Sequence, residues 1–214
     1  SMEYYLPDSV STDELVELVK TLNADESVDG LLVQLPLPVG VDEKAVLGAV
    51  TPEKDVDGFH AVNAGNLLLG NPCLAACTPS GIMELIKSTG TTISGKHAVV
   101  VGRSNIVGKP IALMLLGENA TVTICHSRTQ NLASYTREAD ILVVAIGKKE
   151  FITGDMIKQG SIVIDVGMNR EDGKLYGDVE YASASEKAAY ITPVPGGVGP
   201  MTITMLLKNT VKAA

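Results

Sequence analysis

Cysteine, histidine, positive charge and long apolar runs are all scarce in this 214-residue chain, and each scarcity removes a class of function. The three cysteines, Cys73, Cys77 and Cys125, are too few and too scattered for a disulfide framework. Cys73 and Cys77 stand at a C-x3-C spacing, but with three histidines in the chain and no second cysteine pair, no zinc ligand set is completed. No metal is expected. Seventeen lysines and arginines face 25 acidic residues, a net charge of −8, which argues against nucleic acid or an anionic membrane surface as the main partner. The longest apolar runs, such as Ala98–Val101 and Ile141–Ile146, are strand-sized and far short of a membrane-spanning helix. No secretion signal, internal repeat or low-complexity segment is evident, and reduced thiols in a cytoplasmic protein are the expectation.

What is present is a hydrophobic period that switches repeatedly between helix-like and strand-like, the pattern of an α/β protein. Ser11-Thr-Asp-Glu14 reads as a capping box, followed by an apolar stripe at Leu15, Val16, Leu18, Val19 and Leu22. Gly30–Leu35 reads as a short buried parallel strand stopped by Pro36 and Pro38, and Asp42–Val50 as a weaker helix. Residues 55–60 read as a loop. After Thr78-Pro79 the pattern restarts, with a helix through Ile82, Leu85 and Ile86. Strands are expected over 96–101, 121–125, 140–146, 161–166 and 189–193, helices over 110–116 and 201–211.

The sharpest local motif is the strand Ala98–Val101 running into Gly102-Arg-Ser-Asn-Ile-Val-Gly108-Lys-Pro110 and a helix. Such a turn is an anion site, because backbone amides and the helix dipole favour negative charge. It is not the standard G-x-G-x-x-G, since Ser104 stands where the second glycine would, and a purely structural tight turn explains it about as well. The next strand ends in His126-Ser127-Arg128-Thr129 without a carboxylate. Hydroxyls and a guanidinium suit a ribose 2′-phosphate better than a 2′-hydroxyl, which favours NADP over NAD, with Arg103 able to approach the same group. Gly147 and Gly167 end later strands, at the sheet edge where dinucleotides bind.

Beyond these motifs the chain resembles the methylenetetrahydrofolate dehydrogenase/cyclohydrolase family. The resemblance rests on VDGLLVQLPLP (Val28–Pro38), PEKDVDGFH (Pro52–His60), CTPSG (Cys77–Gly81), VVVGRSNIVGKP (Val99–Pro110), TVTICHSRT (Thr121–Thr129) and ITPVPGGVGPMT (Ile191–Thr202), in the family's order. It implies a Rossmann-like NADP-binding domain over 78–199, a smaller folate domain over 1–77 with 200–214, and an active-site cleft between them. It also implies a homodimer acting on tetrahydrofolate one-carbon derivatives. The implied chemistry is oxidation of 5,10-methylenetetrahydrofolate to the methenyl cation, then hydrolysis to 10-formyltetrahydrofolate. Gln34 would polarise the reacting centre beside Leu35, and Asp57 would hydrogen-bond the donor edge of the pterin. The loop Pro195-Gly196-Gly197 would border the folate. On the cofactor side the resemblance names Gly102, Arg103, Ser104, Val107 and Pro110. It adds His126, Ser127 and Arg128, then Ala145, Ile146, Gly147, Gly167 and Thr202.

The chain departs from the family pattern in two places. Ala76 replaces the usual proline before Cys77. The Tyr-x-x-x-Lys helix, whose lysine is the family's acid/base for hydrolysis, is not found: Tyr4 and Tyr5 are followed by Pro7, Asp8 and Ser9. The expectation is a folate domain truncated at its N-terminus, with little cyclohydrolase activity from these residues. A non-catalytic NADP-binding module derived from the enzyme is the alternative. A shikimate- or hydroxyacid-type dehydrogenase is a more distant one.

Overall fold

The computed structural model describes residues 1–214, which form two compact units: residues 1–75 with 208–214, and residues 76–207. In the first, helix α1 (Thr12–Ala24) begins at a complete capping box. The Ser11 hydroxyl accepts the Glu14 N–H at 3.3 Å, and the Glu14 carboxylate accepts the Ser11 N–H at 2.8 Å. The helix lays Leu15 and Val19 against Val46 of α2 (Glu43–Ala49) and Val50 just beyond it. Asp42 caps α2 by accepting the Ala45 N–H.

The strand expected over 30–35 is not formed. The segment alternates in burial, with Leu31, Val33 and Leu37 packed on the α1/α2 core and Leu32 and Gln34 exposed, as a half-buried strand would. Its only bridge is Leu31 to Asp55, made by the Leu31 N–H on the Lys54 carbonyl at 2.7 Å. One bridge is no ladder, so the side-chain period of a strand survives without its backbone pairing. Helix α3 (Ala61–Leu69) follows, capped at its start by the His60 ring and at its end by Gly70 in the left-handed region.

The second unit opens with α4 (Cys77–Ser88), in which Pro79 sits in the first turn, where its missing N–H costs nothing. A βα sequence follows: β1 (His97–Val101), α5 (Gly108–Gly117), β2 (Thr121–Cys125), α6 (Leu132–Thr136), β3 (Ile141–Val144) and β4 (Ile162–Asp165). A short hairpin, β5 (Asn169–Glu171) and β6 (Lys174–Tyr176), then α7 (Tyr181–Ser185), β7 (Tyr190–Ile191) and the closing helix α8 (Val198–Ala213) complete the chain. α8 starts three residues earlier than the apolar pattern suggests, taking in Val198-Gly199-Pro200.

β2-β1-β3-β4-β7 form one all-parallel sheet. Its central strands are apolar except at two ends, His97 opening β1 and Asp165 closing β4, because both faces are covered. Ala98, Val100, Val143 and Ile164 face a core with Ile82 and Ile86 of α4 and Ile111 and Leu115 of α5. Val99, Leu142 and Val163, in register across three strands, face the opposite core with Ile152 and Ala184. Each such Val, Leu or Ile side chain contributes about 1.5–3 kcal/mol by burial. β1 continues through α5 to β2 on one side, whereas β3 lies on the other, so the strand order reverses between β1 and β3. In an open α/β sheet that switch point, at the carboxyl ends of the strands, is where ligands bind. No helix is long and apolar enough to cross a membrane.

Candidate functional site

In the first unit the loop Lys54-Asp-Val-Asp-Gly58 divides its charges between structure and surface. Lys54 Nζ donates to the carbonyls of Asn23 at 2.9 Å and Asp25 at 2.7 Å, satisfying the end of α1. Asp55 is buried, and its carboxylate accepts the N–H groups of Phe59 at 3.1 Å and His60 at 2.8 Å and the Asn63 amide at 2.8 Å. From α8, Asn209 donates to the Val56 carbonyl at 2.9 Å. The loop is therefore held from three directions. Removing the Asp55 carboxylate strands those donors, so Asp55→Ala is expected to destabilise this unit by about 2–3 kcal/mol. Urea unfolding measures this, and a loss under about 0.5 kcal/mol would contradict it.

Asp57 is different. It is half-buried, and no donor of the protein reaches its carboxylate. Burial, with the Asp55 charge added, pushes its pKa up to about 6. A rigidly mounted carboxylate with unfilled acceptor sites suits a ligand that brings its own N–H donors. Gln34 is exposed and its amide donates to the neighbouring Leu35 carbonyl at 2.9 Å, and the Leu35–Pro36 peptide bond is cis.

In the second unit Gly102 leaves β1 with φ +132°, and a Cβ there would meet the Ala145 carbonyl that follows β3. The two turns flanking the switch point thus touch through a position that admits only glycine. Gly108 is constrained by space alone, since a Cβ there would run into the Gly102 carbonyl. The amides are not all aimed outward, as the motif alone suggests. The Ser104 hydroxyl accepts the N–H groups of Val107 at 3.1 Å and Gly108 at 3.2 Å, capping α5 from within. The exposed amides of Arg103, Ser104, Asn105 and Ile106 have no protein acceptor, and that run of donors fits a dinucleotide phosphate. Pro110 is buried in the first turn of α5.

After β2 the chain closes a tight turn. Thr129 N–H donates to the His126 carbonyl at 2.8 Å, His126 N–H to the Thr129 hydroxyl at 2.8 Å, and Arg128 N–H to His126 Nδ1 at 3.1 Å. Ser127 and Arg128 stand exposed at its tip. Pro195 and Gly196 are exposed after β7, the Val194–Pro195 bond is cis, and Gly197 is packed on the Pro193 carbonyl. The Thr202 hydroxyl lies 2.9 Å from that of Thr78, where Gly81 lets α8 close on α4.

Sequence reasoning missed the polar framework under these turns. Asp165 and Asp178 are buried carboxylates that accept backbone N–H groups near Ile146, Gly147 and Gly167. Only the Gly177-Asp178 pair after the hairpin hints at it, and that pair reads equally well as a turn.

The sequence matches two family profiles, the tetrahydrofolate dehydrogenase/cyclohydrolase catalytic domain over residues 1–57 and the NAD(P)-binding domain of the same enzymes over residues 76–214. It is 62% identical over 215 residues to the bifunctional protein FolD of Acetivibrio thermocellus, covering 100% of this chain and 75% of that protein. It is 59% identical over 207 residues to the Bacillus subtilis FolD, covering 96% and 73%. The crystal structure of the Campylobacter jejuni FolD dehydrogenase/cyclohydrolase superposes with a TM-score of 0.96 at 51% identity, over 98% of this chain and 75% of that one. The Trypanosoma brucei enzyme, solved with NADP cofactor and an inhibitor, gives 0.92 at 43% identity, over 97% and 74%.

Proposed function

The chain belongs to the tetrahydrofolate dehydrogenase/cyclohydrolase family, and from that premise we propose how its residues serve the oxidation of 5,10-methylenetetrahydrofolate and the hydrolysis of the methenyl product to 10-formyltetrahydrofolate. The observation that supports the folate side best is Asp57, a firmly mounted carboxylate with no donor of its own. Ionised, it accepts N–H donors from the pterin edge and orients the ring. The Gln34 amide, once turned from the Leu35 carbonyl, donates to a folate nitrogen or to the attacking water. In the second unit, Pro195, Gly196 and Gly197 supply a flat, partly exposed stretch of main chain suited to a planar ligand.

NADP, when bound, supplies the hydride acceptor. Arg103 and Ser104, with the free amides of Asn105 and Ile106, hold its phosphates at the head of α5, while His126, Ser127 and Arg128 take the 2′-phosphate. At that head Gly102 shapes the turn, Val107 gives its N–H to Ser104 and Pro110 is buried. Ala145, Ile146, Gly147, Gly167 and Thr202 border its other half. The reading extends to a cytoplasmic homodimer, which light scattering and cell fractionation test.

The direct test mixes the protein with NADP and methylenetetrahydrofolate and follows reduced cofactor in the near ultraviolet. NADP binding without hydride transfer would favour a binding module, and turnover with shikimate instead of folate would overturn the reading. Within it, Arg128→Ala is expected to weaken NADP binding about 10- to 100-fold and leave NAD binding unchanged, since a guanidinium–phosphate contact contributes about 1.5–3 kcal/mol. Separate titrations of the two nucleotides check this. An equal loss for both would remove Arg128 from the 2′-phosphate.

A further inference from the structure

Asp178 is fully buried just after β6, and its side chain reaches the turn that follows β3. Its Oδ2 accepts the N–H groups of Ile146 at 2.7 Å and Gly147 at 2.9 Å, and its Oδ1 accepts that of Lys148 at 2.8 Å. Three successive amides converging on one carboxylate form an anion nest, and Gly147, at φ +63°, provides the left-handed step that such a nest requires. Asn169 completes the set, its amide donating to Asp178 Oδ1 at 2.9 Å and to the Gly177 carbonyl at 3.2 Å.

Asp178 is itself held in place. The Asp165 carboxylate at the end of β4 accepts the N–H groups of Asp178 and Val179, each at 2.9 Å, and that of Gly167 at 2.9 Å. A Cβ at Gly177 would run into Asp165 Oδ2, and one at Gly167 into Asp178. Two buried carboxylates therefore tie the end of β4, the segment after the hairpin and the turn after β3 into one polar framework. In a trans peptide the carbonyl points opposite to the following N–H. With the amides of 146–148 drawn onto Asp178, the carbonyls of Ala145, Ile146 and Gly147 are turned the other way, and that of Ala145 meets Gly102 across the switch point.

We propose that Asp178 is a positioning residue for the dinucleotide site: its carboxylate folds the Ala145–Lys148 turn and thereby sets the affinity for NADP without touching the cofactor. The inference rests on the reading of this unit as the NADP site. Asp178→Asn keeps the shape but turns an N–H2 toward backbone donors that need an acceptor, leaving at least one of them unpaired. The expected result is NADP binding weaker by about 10- to 100-fold, with KM for NADP raised and kcat at saturating NADP within about threefold. Amide exchange at Ile146, Gly147 and Lys148 rises in step.

Ser183→Ala serves as the control for a merely structural loss. It removes the acceptor of the Gly154 N–H, elsewhere in the same unit, and is expected to lower Tm while leaving NADP affinity unchanged. If Asp178→Asn does not fold, Asn169→Ala reports instead, removing one donor to Asp178 and weakening NADP binding about three- to tenfold. Absence of NADP binding by the unaltered protein would overturn the site reading and this inference with it. Unaltered binding in Asp178→Asn, or in Asn169→Ala where that variant stands in, would overturn the inference alone.

Discussion

Asp57→Asn is expected to lower kcat/KM for methylenetetrahydrofolate by about 100-fold or more while NADP affinity stays within about twofold. Truncating or neutralising one partner of a half-buried charged hydrogen bond costs about 2–5 kcal/mol, and here the substituted amide would also set a donor against the donors of the pterin. The stability effect has the opposite sign. The folded-state pKa of Asp57 is raised to about 6 from 3.8 by burial and by Asp55. A raised carboxyl pKa contributes stability that is present below the unfolded value and lost as pH rises through the folded one. At neutral pH the ligand-free protein carries the cost of an ionised, half-desolvated carboxylate, so Asp57→Asn is expected to be at least as stable as the parent there. That advantage shrinks as pH falls from about 6 toward 3.8. In the parent, apparent folate affinity falls about tenfold per pH unit below the break near 6, because the proton occupies an acceptor site. In the variant the break disappears. A variant that retains the break, or that loses activity only by unfolding, would remove Asp57 from the folate site.

This combination, less stable with the native residue and active only with it, is common where a site is built for a ligand rather than for the resting fold. It also separates the two aspartates of one short motif. Asp55 and Asp57 are identical in type and two positions apart, yet one is consumed by the N–H groups of Phe59 and His60 and the other is left open. Composition and spacing do not distinguish them. The motif was readable as a folate element by resemblance, but the division of labour within it depends on α3 beginning at His60 and on Asn209 arriving from the far end of the chain.

The same logic explains which elements were legible. β1, β3 and β4 were, because strands buried on both faces are continuous apolar runs bounded by turn residues. The Ser11 box was, because its chemistry is local. Helix α3 was not, since its cap is a histidine ring accepting the Val62 N–H, an uncommon cap residue. The β5–β6 hairpin carries a weak signal: Asp172-Gly173, both at positive φ, is a primed-turn pair, but the flanking strands are only three residues each. Asp165 and Asp178 left only the Gly177-Asp178 pair, which reads equally well as a turn. They bond to backbone amides, which carry no side-chain identity, so no spacing in the sequence records the pairing.

Gly102→Ala is expected to abolish measurable NADP binding at concentrations about 100-fold above the parent's Kd and to cost about 3 kcal/mol or more of stability. Two separate penalties add at this position. A φ of +132° lies in a region that side-chain-bearing residues avoid at a cost of about 1–3 kcal/mol, and the new methyl would meet the Ala145 carbonyl. Relief requires the turns after β1 and β3 to part, and these are the two turns that flank the switch point. Gly95→Ala separates the penalties. Gly95 also has positive φ, +77°, but its Cβ would meet nothing within 4 Å, so only the backbone cost of about 1–2 kcal/mol applies. That variant is expected to melt lower and bind NADP as the parent does. If Gly102→Ala instead behaves like Gly95→Ala, losing a little stability and no affinity, then the contact between the two turns is not what shapes the cofactor site. The glycine would then serve the turn alone, the structural explanation that the motif by itself left open.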